Sequence, residues 1–138
     1  MKYMLLMAST SSDWDGSMSG LSHDELMAHI RFMHGVNAML TETGELVDAV
    51  GLTAPDEARI VRADSAGAAL VTDGPFPESK EFLAGFWVIE CAGIERACEI
   101  AAHISTAPGA GGAPMNFPVE VRQIGEAPDV DEIPANSD

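Results

Sequence analysis

The sequence predicts an α+β domain in which two helices cover one face of an antiparallel sheet. Two observations carry that expectation. Only two segments, 22–43 and 93–105, have apolar residues at helical spacing, and each is flanked by short β-branched or aromatic runs bounded by turn residues. Taken in chain order these give β, α, two or three strands, then β, α, β, which is the ferredoxin-like split βαβ plan. With 138 residues, 46% of them hydrophobic, the chain can bury one core, and a single domain is expected.

The first apolar run, 2–8, stops at the Ser/Asp/Gly-rich stretch that opens with Ser11-Ser12-Asp13 and reads as a strand. It is too short for a membrane span or for the apolar core of a signal peptide. Ser22 followed three residues later by Glu25 is a capping box, and Leu21 can staple onto Leu26, so a helix starts here. Leu26, Ile30, Met33 and Leu40 are expected on its buried face, and Gly44 stops it after Thr43.

Residues 45–51 read as a strand, and Ala54-Pro55-Asp56 breaks the chain before 58–63. The turn signal Asp64-Ser65-Ala66-Gly67 predicts that 68–72 pairs back on 58–63 as a hairpin. Residues 83–90 form the strongest strand candidate, with Leu83, Gly85, Trp87 and Ile89 on one face. In 93–105 the buried face is expected to be Ile94, Ala97, Ile100, Ala101 and Ile104. A Gly/Pro-rich loop, 106–116, leads to a last strand, 119–124, with Pro118 at its entrance. From Gly125 onward there are five acids, two prolines and no base, so a disordered acidic tail is expected to follow a domain of 1–124.

A sheet covered on one side leaves its other face for water or a partner. Apolar residues on both faces of 83–89 predict a homodimer packed sheet to sheet. The charge of −15, from 22 acids against 7 bases, repels a phosphate backbone and argues against direct nucleic-acid binding. No apolar run approaches the roughly 20 residues of a membrane span. Cys91 and Cys98 are too few for a disulfide scaffold, which fits a reducing cytoplasm, and Cys98 is expected to be a buried, inert thiol. His23, His29, His34 and His103 lack metal-ligand spacing, so neither metal nor cofactor is expected.

Chemistry is sought where polar residues border apolar ones. His34, Asn37 and Thr41 cluster on one flank of the first helix beside its apolar stripe. A polar group there must find hydrogen bonds or lose about 1–3 kcal/mol, so it either bonds nearby backbone or lines a wet cavity. Asp48, expected to share a strand face with Leu46 and Val50, is a companion carboxylate. The turn Asp73-Gly74-Pro75-Phe76 has a structural reading, since each of its first three residues suits a tight turn. Its functional reading puts Asp73 at the mouth of a pocket between sheet and helix, where it works as an acid or base. Trp87 and Phe86 are expected in the core or a dimer interface.

The candidate site is therefore His34, Asp48 and Asp73 for proton transfer, with Asn37, Thr41 and Phe76 holding a small-molecule ligand. The reaction class is isomerisation or elimination. The alternative is a non-catalytic interaction or regulatory protein.

Val71-Thr72-Asp73-Gly74-Pro75-Phe76, followed by Glu78-Ser79-Lys80-Glu81 and Gly85-Phe86, resembles the DGPF branch of the YCII-related proteins. The opening Met1-Lys2-Tyr3-Met4-Leu5-Leu6 and the closing Val119-Glu120-Val121-Arg122 fit the same pattern, so the resemblance spans about residues 1–124. It implies a dimeric α+β barrel. Some relatives are thought to be small-molecule enzymes with a His and an Asp in a cleft, one a dehydrochlorinase of chlorinated hydroxyquinols. No His and Asp stand here at those relatives' spacing, so that pair is not carried over. The branch's association with alternative sigma factors implies a regulatory protein partner. The loop 106–116 is longer and richer in Gly and Pro than the branch pattern.

Overall fold

The computed structural model describes residues 1–10, 20–73 and 81–135, without the side chain of Asp73. The elements run β1 (Lys2–Thr10), α1 (His23–Glu42), β2 (Leu46–Gly51), β3 (Arg59–Ala63), β4 (Ala69–Asp73), β5 (Glu81–Glu90), α2 (Ile94–Ser105) and β6 (Glu120–Gln123). Four strands form an antiparallel sheet in the order β2-β5-β1-β6, so β5 is inserted between β1 and β2 as the ferredoxin-like plan requires. The expected hairpin forms too, but β3 and β4 make a separate two-stranded sheet. Ile60, Val61, Leu70 and Val71 are exposed on it.

The capping box starts α1 as expected: Ser22 Oγ accepts from the Glu25 N–H at 3.1 Å, and Glu25 Oε1 accepts from the Ser22 N–H at 2.9 Å. At the other end Gly44 takes φ 75°, a conformation that strains other residues, and the Glu45 N–H closes onto Leu40 O at 2.8 Å. The buried face differs from the expected stripe. His29, Val36 and Leu40 are buried, whereas Ile30 is exposed. An apolar stripe more than 100° wide admits several rotations of a helix, and packing against the sheet selects the one that turns Val36 inward.

Ala97, Ile100, Ala101 and Ile104 of α2 pack on the sheet as expected. Ile94, at the first helical position, is left exposed. Cys98 is also exposed, contrary to expectation, because it stands one residue, hence about 100° of rotation, from Ala97. Cys91 is the buried thiol. The core between helices and sheet centres on Leu5, Leu40, Ile89, Ile100 and Ile104, all fully buried. Each contributes about 1.5–3 kcal/mol by leaving water. A bidentate pair ties the start of β2 to α2: Arg96 Nε and Nη2 donate to Glu45 Oε2 and Oε1 at 2.9 and 2.8 Å. Those hydrogen bonds hold the Glu45 carboxyl below the usual carboxylate range.

Two bulges correct the expected strand faces. Met7 pairs with Gly85 but Ala8 pairs with Leu83, so Ala84 is an extra residue on β5. Alternation flips there, and Phe82 is buried in place of Leu83. On β2, Leu46 faces Ile89 while Asp48 faces Val88, so Val47 is the extra residue. Asp48 therefore shares no face with Leu46. Gly85 itself is required by a close approach, since a Cβ there would sit 2.8 Å from the Val50 carbonyl oxygen.

Beyond β6 the described residues make one 3-10 turn, Val130–Glu132, and residues 124–135 are exposed. Among the described residues no helix is long and apolar enough to cross a membrane.

Candidate functional site

A cavity of about 810 Å³ opens between α1, the bulged ends of β1 and β5, the end of β2, and the segment 115–118. Pockets of about 300–1,000 Å³ suit small molecules. Met7, Met33, Met115, Phe117 and Trp87 are among the residues of its apolar wall. The polar side chains that bear on its chemistry are Ser9, His29 and Asn37, and Glu81 is the one Asp, Glu, Lys or Arg among its described lining residues.

His29 is 8% exposed, and its Nδ1 lies 3.1 Å from the Pro108 carbonyl oxygen. A carbonyl can only accept, so the proton of that bond is on Nδ1. In the neutral ring Nε2 then carries a lone pair. Nε2 makes no hydrogen bond to a described residue, yet no buried side-chain nitrogen or oxygen in the described structure lacks a partner. Nε2 is thus not sealed from solvent, on a ring that lines the cavity.

Asn37 is fixed by the same logic. Trp87 Nε1, which can only donate, is 2.8 Å from Asn37 Oδ1. The amide therefore keeps two N–H donors on Nδ2 that no described residue accepts, on a residue that lines the cavity. His29, Met33 and Asn37 stand at i, i+4 and i+8 on one face of α1. The two polar groups are separated by about 12 Å of helix rise.

The segment 107–117 is a strap over one end of the cavity. The Met115 N–H donates to Ala107 O and the Asn116 N–H to Ser105 O, both at 2.9 Å, while Ser105 Oγ donates to Phe117 O at 2.7 Å. The Gly111 N–H donates to Glu25 Oε2. Hydrogen bonds from the Ser22 backbone first, then from Gly111 and the Ser22 hydroxyl, hold the Glu25 carboxyl below its ordinary range. One residue thus caps α1 and anchors the strap that carries Pro108 to His29.

The family model of the YCII-related domain matches residues 1–113. The chain belongs to the YCII-related family. A curated relative, an uncharacterised protein of Rhizobium meliloti (strain 1021), is 34% identical over 110 residues, covering 80% of this chain and 88% of the relative. The kinship expected from the sequence pattern is thus borne out, and the matched part of this YCII-related protein includes both His29 and Pro108.

Of the residues singled out in the sequence, Asn37 lines the cavity of the YCII-related domain. His34 and Thr41 are exposed, and Thr41 Oγ1 donates to the Asn37 carbonyl at 2.7 Å. Asp48 is exposed as well, its Oδ1 accepting from the neighbouring Ala49 N–H at 2.9 Å. None of these three is a described lining residue. Asp73 pairs through its backbone with Arg59 at the end of the hairpin. Its side chain and Phe76 lie outside the described residues.

His29, which the sequence reading weighed only as a metal ligand, is the group that was missed. Its signal was the helical phase it shares with Met33 and Asn37. Among the described residues no three His, Cys, Asp or Glu side chains converge as a metal site needs.

Proposed function

We propose that this YCII-related protein binds a small molecule between α1 and the sheet and moves a proton at His29 Nε2, in an isomerisation or elimination. The observation that carries this is the bond to Pro108 O from Nδ1 of His29, a residue that lines the cavity. It leaves Nε2 as the proton acceptor, and when the ring takes a proton the carbonyl keeps its hold on Nδ1–H. A base positioned in this way contributes typically 10²–10⁴-fold to rate. Long-range ¹H–¹⁵N spectra test the premise: His29 is expected to show a protonated Nδ1 and a bare Nε2. A proton resident on Nε2 in the neutral ring would end the base assignment. The Asp73-Gly74-Pro75-Phe76 run supports membership of the DGPF branch within the family.

We also infer a homodimer. Met4, Leu6, Phe86 and Val88 make an apolar patch on the outer face of the sheet, only half-buried within one chain. Sedimentation at micromolar concentration is expected to give a single species at twice the 14.5 kDa chain mass. A monomer would leave that face, with the exposed Val61 and Val71 of the hairpin, to a different protein partner. It would favour the non-catalytic interaction reading.

A further inference from the structure

We propose that the cavity selects an uncharged, elongated ring compound with a hydrogen-bond donor at one end and a carbonyl-type acceptor at the other, and rejects carboxylates and phosphates. This deepens the small-molecule reading of the cavity and rests on it.

The two ends differ because their neighbours fix them. At the His29 end the Pro108 carbonyl occupies Nδ1, so the ring offers the ligand a lone pair at Nε2 and calls for a donor. At the Asn37 end Trp87 Nε1 occupies Oδ1, so the amide offers two N–H groups and calls for an acceptor. A ligand bound the other way round would set acceptor against lone pair and donor against N–H. Two turns of α1 separate the ends, about 12 Å of rise, so the ligand must be long enough to reach both.

Between them Met33, Met7 and Met115, with Trp87 and Phe117, present flexible thioethers and aromatic faces suited to a flat apolar body. Charge selection follows from what the wall lacks. Among the described lining residues there is no Lys or Arg, and the one acidic side chain is Glu81. Against these described residues, in a chain of net charge −15, an anion would lose its hydration without meeting a cation among them.

Three compounds on one skeleton test this by titration calorimetry with the intact chain, while His29 and Trp87 resonances report whether binding is in the cavity. They are 6-acetyl-2-naphthol, 6-ethyl-2-naphthol, which lacks the acceptor, and 6-hydroxy-2-naphthoate, which carries a carboxylate in its place. The acetyl compound is expected to bind about tenfold more tightly than the ethyl and about a hundredfold more tightly than the carboxylate. Asn37→Asp keeps an acceptor for Trp87 but removes the amide donors, and is expected to abolish the advantage of acetyl over ethyl. Equal binding of acetyl and ethyl by the parent chain, or a carboxylate that binds as well as the ketone, would overturn the proposal while leaving a small-molecule cavity. If none of the three moves the His29 and Trp87 resonances, the cavity reading itself fails and the ligand class falls with it.

Discussion

Leu40→Ala is expected to destabilise the chain by about 2–5 kcal/mol, whereas Ile30→Ala changes stability by only about 0.5 kcal/mol. Leu40 is fully buried where α1 meets the sheet and α2, so its truncation loses transfer energy and leaves a cavity. Ile30 is 38% exposed and has less to lose. For a chain of this size the larger change lowers the melting temperature by roughly 10 °C. Thermal unfolding of the two variants beside the parent checks the rotation of α1 directly. Equal losses would mean that the helix presents the stripe read from the sequence, and His29 would then not face the cavity.

Gly85→Ala is expected to cost about 1–3 kcal/mol and to unpair the end of β2. The added Cβ meets the Val50 carbonyl at 2.8 Å, an atom held by backbone pairing rather than the tip of a mobile side chain. The strands must separate where the Leu52 N–H donates to Ala84 O at 2.9 Å. Since Val50, Gly51, Leu52 and Gly85 all line the cavity, the change also alters its wall. Denaturant unfolding reads the loss of stability, and amide exchange at Leu52 reads the unpairing. A variant with the parent's midpoint and the parent's protection at Leu52 would show that this approach does not constrain the sheet.

Much of the fold was legible because it is written in local chemistry. The capping box of Ser22 and Glu25 marks the start of α1 within four residues of chain, and Gly44 marks its end. The turn at Asp64 to Gly67 announces the hairpin for the same reason: Asp64 Oδ1 accepts from the backbone N–H groups of Ala66 and Ala68, both at 2.9 Å. Less of the site was legible. Asn37 was marked because a polar residue on the core side of a helix needs a partner, and its partner proved to be Trp87. His34 and Thr41 share its flank in a helical projection, yet α1 packs with His29, Met33 and Asn37 toward the cavity.

By itself the sequence determined the order of strands and helices, the ends of α1, the hairpin, and the acidic charge balance. These depend on residues a few positions apart or on composition. Tertiary structure decided the rest. The bulges at Val47 and Ala84 reversed the faces of Asp48 and Leu83, because one extra residue on one strand shifts the alternation only when a partner strand defines the register. The role open to His29 was decided in the same way: its tautomer is set by the carbonyl of Pro108, 79 residues along the chain, and no local pattern brings the two together.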